Sequence, residues 1–382
     1  MYNDKIFVHY IYETKEGAVL RQVKHSLNGN IQDSLNLGLV FDKLGLRPEM
    51  NVETSENKKF QFLWNQESNG KINYWVINLE KDSLQLNNSF TLDKAFGPKQ
   101  YKKFIISNDG LAFLILSTKN QKKKINEHEY KFFKLNTSQS VFKRAFKIAM
   151  DGNLTVSVDF TYDNLNKQII GGGYYGRDSR YKPEGVFYMK IPSNRFEEKL
   201  LKFTRIDFSK FTDGKKRNIK NPMADVSVRD LALGRNGELN IISEHIKVRT
   251  YEDELNRIGS NKIDYYYTDL YLSAFDADGN LFWINTLKKN QYSQSDDGIY
   301  SSFFLFRGSR ALRLIFNDKI TFSSTVSEYI VRGDGKYDRD ILFNTQSKKL
   351  GLRIRDSQQI AINECLIPSQ QKKTIKLVRV IF

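Results

Sequence analysis

The feature that most limits what this chain can become is a recurring hairpin unit. A strand-like run, a glycine-bearing turn and a second, more apolar run recur in Phe104-Ile-Ile-Ser-Asn-Asp-Gly-Leu-Ala-Phe-Leu-Ile-Leu116, in 228–242 and in 302–316. Glycine at each turn is able to take the positive φ of a tight hairpin. Helical periodicity is almost missing. Short apolar runs alternate instead with Asn-Gly, Asp-Gly or Lys-rich turns, the pattern of antiparallel strands. A second pair of runs follows in several units: 130–135 leads into 141–146, and 269–275 leads through Asp276-Ala-Asp-Gly-Asn280 into 281–284. Residues 185–191 read as another third strand. Four antiparallel strands and a return make one blade of a β-propeller.

The units begin near Lys58, Lys102, Asn153, Val226, Tyr300 and Gly351, at spacings of 44, 51, 73, 74 and 51. A period of about 40–50 residues is the propeller signature, so the two long units carry insertions. These lie between second and third strands, at 177–183 and 247–264, and 251–258 predicts a short helix. The first unit offers three strands (6–12, 18–27, 31–37), as does the last (352–355, 360–366, 374–382). Merging the two ends into one blade would crowd too many strands into four places. The expected fold is therefore all-β: one propeller domain over 1–382 with seven four-stranded blades, six being the alternative. Seven blades are short of one outer and one inner strand, and the expectation is that upstream sequence supplies both, the first blade lacking its innermost strand here.

A chain of 382 residues exceeds what one core normally organises, and 27 Phe with 20 Tyr favour strands. Its net charge of +16 would attract nucleic acid, anionic lipid or an acidic protein. The basic residues are scattered, however, over 122–124, 215–217 and 372–373, with no stripe of the kind that reads DNA. A nucleic-acid partner is disfavoured. The single cysteine, Cys365, sits in an apolar run and reads as a buried thiol; one cysteine excludes an internal disulfide framework. The start has no signal-peptide pattern, and no apolar run is long enough to span a bilayer. A soluble monomer is expected, with Phe282 and Trp283 on a packed strand.

Several motifs have plainer readings than their chemistry suggests. Asp276-Ala-Asp278-Gly-Asn280 opens like a calcium loop, but Leu287 stands where the closing acidic ligand belongs. A strand-connecting turn is expected there and at 333–338. Gly171-Gly-Gly-Tyr-Tyr-Gly176 does not open a helix, and reads as a strand whose glycines allow close approach of backbones. His9, His25, His128 and His245 have no metal spacing. Tyr265-Tyr-Tyr267 and Tyr174-Tyr175 should each turn at least one ring inward. No catalytic, cofactor or metal residue is assigned.

Residues 168–176 followed by 185–191, then 269–283, Lys289-Asn-Gln291, 296–302 and 314–318, resemble blades of a poorly characterised extracytoplasmic propeller family of Bacteroidota. The resemblance implies a periplasmic or cell-surface location. Some propellers of this kind associate with outer-membrane machinery, including the type IX secretion translocon. It identifies no binding residue, and this chain departs from the family by lacking its usual secretory signal.

The leading expectation is a non-enzymatic binding or scaffold propeller that engages a protein through one rim. The alternative is a hydrolase or carbohydrate-binding propeller with its site in the central funnel. Equivalent loops of successive blades emerge on one face. The two insertions therefore give the candidate partner surface: Arg177, Arg180, Tyr181, Lys182, Lys247, Arg249, Tyr251 and Arg257.

Overall fold

Alternation of side chains along these runs decides the architecture. A computed structural model describes residues 5–26, 28–41, 50–67, 70–91, 102–119, 128–135, 142–177, 183–208, 223, 225–251, 262–320, 325–345, 350–371 and 374–382. Its strands pair antiparallel into seven sheets, which follow one another along the chain. The first and last have three strands, the fifth has five and the others four. Within each sheet a strand pairs with its neighbour in sequence; only Gln291–Gln294 folds back, onto Lys262–Phe275.

The described chain falls into two compact units: 1–154, 160–169 and 191–199 form one, and 155–159, 170–190 and 200–382 the other. In the first unit, strand Phe60–Gln66 of the second sheet is buried on both faces. Leu63 packs with Leu20 and Leu37 of the first sheet, while Phe62 and Trp64 pack with Phe104 and Leu114 of the third. In the second unit the fourth sheet packs on the fifth through Ile170, Tyr188, Leu239 and Ile241. The fifth meets the sixth through Leu272 and Leu314, and the sixth meets the seventh through Ile315 and Ile367. Meandering antiparallel sheets stacked face to face in chain order are β-propeller blades. Among the described residues no helix is long and apolar enough to cross a membrane.

Several details depart from expectation. Leu352 makes only an isolated bridge to Ser369, and Ile354–Asp356 is a 3-10 turn rather than a strand. The run 360–366 instead splits into Gln358–Ala361 and Glu364–Gln371, because Ile362 and Asn363 form the tip of a hairpin. Strand Asn51–Thr54, polar at alternate positions, has no counterpart in the sequence reading. Gly110 and Gly237 take φ of 82° and 87° in their turns, whereas Gly308 does not need a positive φ. Phe282 is 71% exposed and Trp283 half-buried, since Leu281–Leu287 is the fourth strand of its sheet. Cys365 is buried as expected, and burial pushes its thiol up to about 12.

The first sheet carries a pH-dependent element. Buried Gln22 donates its amide N–H to Gln61 Oε1 (3.1 Å) and lies 3.0 Å from His9 Nε2, a geometry that suits a neutral, accepting imidazole. Burial lowers the His9 pKa from 6.5 to about 4. The unfolded chain therefore binds the extra proton first. This stability is fully present above pH 6.5 and is lost as pH falls toward 4. Between pH 7 and 4.5, urea unfolding should show wild type losing about 2 kcal/mol more than His9→Gln. Equal losses would mean that the ring is solvated.

Candidate functional site

Two strands of the fifth sheet outgrow their neighbours. Leu239–Tyr251 and Lys262–Phe275 span 13 and 14 residues, against eight and seven in the flanking strands Val226–Leu233 and Leu281–Leu287. Their surplus ends pair with each other, Lys247 opposite Tyr266 and Tyr251 opposite Lys262. Gln291–Gln294 adds a third strand, Asp264 facing Gln294 and Tyr266 facing Tyr292. The result is a three-stranded arm. Alternation then puts Lys247, Arg249, Tyr251, Asp264, Tyr266, Tyr292 and Gln294 on one of its faces.

Asp264 organises that face. Its Oδ1 accepts the Tyr292 hydroxyl at 3.0 Å and the Gln294 amide at 2.8 Å, while Oδ2 accepts the Tyr266 hydroxyl at 3.3 Å. The bond from Gln294, then those from the two hydroxyls, hold this carboxyl below its usual range. The Tyr292 phenol is pushed up, first by its bond to Asp264. The rings of Tyr266 and Tyr292 lie 5.2 Å apart, and the Arg249 guanidinium stands 5.7 Å from the Tyr266 ring. A hydrogen bond with Tyr251 is the first cause raising Arg249. Tyr251 and Tyr292 remain 44% and 48% exposed. The face is thus a preset array of aromatic rings and hydrogen-bonding groups.

A buried ion pair anchors the base of the arm. Lys289 Nζ lies 2.6 Å from Glu244 Oε1 and donates to Gln291 Oε1 (2.7 Å) and to the Tyr267 carbonyl (3.1 Å). Ser302 Oγ donates to Glu244 Oε2 at 2.5 Å, and Gln291 Nε2 donates to the Asn317 carbonyl at 2.6 Å. Burial lowers the Lys289 ammonium below its ordinary value, opposed by the nearby Glu244 charge. These bonds fix where Gln291–Gln294 enters the arm. Beside that strand opens a cleft of about 600 Å³, lined in part by Tyr292, Tyr300, Asn317 and Leu352.

Of the residues expected at a partner surface, Lys247, Arg249 and Tyr251 come together on the arm. They belong to a paired strand, which replaces the expected loop. Arg177 directly follows strand Gln168–Gly176 of the fourth sheet, its Nε 4.0 Å from Glu184 Oε2. Arg180, Tyr181, Lys182 and Arg257 lie outside the described residues, as does most of the expected helix at 251–258. Tyr292 and Gln294 are absent from the sequence reading, which includes Tyr266 only within the run Tyr265–Tyr267 and Asp264 only as the end of the insertion 247–264; the spacing of two, Asp-x-Tyr and Tyr-x-Gln, is the one hint of a shared face.

The other motifs settle simply. Asp276 Oδ1 accepts the backbone N–H groups of Asp278 (3.0 Å) and Asn280 (2.8 Å), closing the expected turn. Gly171–Gly176 lies wholly within a buried strand. Tyr174, Tyr175 and Tyr267 are buried. Among the described residues, no group of three or more His, Cys, Asp or Glu side chains is arranged to hold a metal.

No family model matches this sequence, and no curated protein does. Among solved structures, the chain is similar to the polysaccharide lyase Uly1, at 12% identity over 100% of this chain and 88% of the other, with a TM-score of 0.54. It is also similar to the β-propeller domain of the Trilobed protease from Pyrococcus furiosus (10% identity, 87% and 82% covered, TM-score 0.41). A third is the six-bladed fucose-recognising lectin of Aleuria aurantia (9%, 88% and 95%, TM-score 0.33). At such identities the likeness concerns the fold alone.

Proposed function

We propose that the chain is a propeller-based binding protein whose working surface is the tyrosine-rich face of the arm, and that its partner is another protein. The arrangement of Tyr266, Tyr292 and Gln294 around Asp264 carries this reading. Tyrosine and arginine concentrate binding energy at protein interfaces, and rings already held in place lose little entropy on binding. The resemblance of 168–191 and 269–318 to extracytoplasmic propellers supports a partner in the periplasm or at the cell surface.

A photo-crosslinking side chain in place of Tyr251, activated in native cells, should trap a protein adduct. Combining it with Arg249→Ala and Tyr292→Ala should abolish that adduct. An undiminished adduct in the combined variant would contradict the assignment.

A further inference from the structure

The third strand of the arm has one bonded edge and one open edge. Ser295 N–H donates to the Ile263 carbonyl at 2.8 Å, which sets the phase of the ladder between Gln291–Gln294 and Lys262–Phe275. In an antiparallel pair, bonded and non-bonded positions alternate. Ser293 and Gln291 therefore direct their backbone groups toward Tyr265 and Tyr267, while Tyr292 and Gln294 direct theirs outward. No hydrogen bond among the described residues takes those outward N–H groups. Exposed edges are usually blunted by shortness, proline, a bulge or an inward-pointing charge. Gln291-Tyr-Ser-Gln294 is short, which limits an added strand to a few residues, but it has no proline, bulge or charged side chain.

The open edge borders the cleft of about 600 Å³, with Tyr292 and Gln294 on the strand's side and Tyr300, Ile320, Leu350 and Leu352 among the other lining residues. An added strand places alternate side chains on opposite faces, so one set would meet this largely apolar wall. Resting on the reading that the arm is the binding surface, we propose that the partner supplies an extended segment. It docks as a fourth strand on Gln291–Gln294, exchanging backbone hydrogen bonds with Tyr292 and Gln294 and placing apolar side chains in the cleft.

Eight-residue peptides selected from a random display library against the full chain provide the probe. Selected binders should carry apolar residues at alternate positions, and N-methylation of two alternate backbone amides should weaken them at least tenfold. Gln294→Pro removes an outward N–H but no bond to the neighbouring strand. It should weaken peptide binding at least tenfold more than Gln294→Ala does. Binders indifferent to both N-methylation and Gln294→Pro, or a library that yields no binder sensitive to them, would overturn the proposal. If binding survives Gln294→Pro yet fails with Arg249→Ala, the edge is wrong and the arm surface stands. If neither variant matters, both are wrong.

Discussion

A single methyl group at Gly173 should cost about 3 kcal/mol or more, at the high end for overpacking in a well-packed core. A Cβ at this position would stand 2.1 Å from the Ser157 carbonyl oxygen and 2.8 Å from Val158 Cα. Both are backbone atoms of the adjacent strand, and backbone cannot rotate aside as a side chain can. The neighbouring Gly172 provides the control. There a Cβ meets Ile241 Cδ1 at 2.7 Å and Leu239 Cδ2 at 2.8 Å, the movable ends of flexible side chains. Gly172→Ala should therefore cost about 1 kcal/mol. Urea midpoints of the two variants decide the matter. Equal stability of Gly173→Ala and wild type would mean that these strands do not approach so closely, and that the glycine run has some other purpose.

The second large effect is expected at the base of the arm. Glu244→Ala leaves the Lys289 ammonium, 1% exposed, without its carboxylate, and such orphaned buried charges cost about 3–5 kcal/mol. Lys289→Met should cost less, because the Glu244 carboxylate keeps the Ser302 hydroxyl and the Arg229 guanidinium, 3.8 Å away. Replacing both, as Glu244→Leu with Lys289→Met, should recover much of the loss, because no fully buried charge remains unpaired; Arg229, which also approaches Glu244 (3.8 Å), is 29% exposed and turns to solvent. A double-mutant cycle in denaturant measures this directly; simple addition of the two single costs would contradict it. Hydrogen exchange in either single variant should also quicken at 291–294, since Gln291 shares Lys289 with Glu244.

Much of the fold was legible because its inner strands are apolar and their turns are chemically explicit. Residues 104–116 announce a hairpin through Asn-Asp-Gly, and Gly110 takes the positive φ that the turn requires. Strands without an apolar face were harder to see. Lys247-Val-Arg-Thr-Tyr251 alternates as a strand does, but its charges read as a loop because the arm has no core on which to set an apolar stripe. Gln291-Tyr-Ser-Gln294 is four residues long and mostly polar, below any pattern threshold. Its role depends on pairing with Asp264 some thirty residues earlier, which local sequence does not encode. The misplacement of Phe282 has a related cause. An aromatic run resembles a packed strand whether the strand is central or lies at the edge of its sheet.

Oxidative footprinting of tyrosine and phenylalanine side chains tests the binding surface most directly, by comparing the purified protein with the same protein in a native cell extract. Tyr251 and Tyr292, 44% and 48% exposed, should lose oxidation in the extract. Phe282 and Tyr337, 71% and 44% exposed and away from the arm face, should not change. Protection of Phe282 and Tyr337 with Tyr251 and Tyr292 still oxidised would move the working surface elsewhere on the propeller and contradict the account.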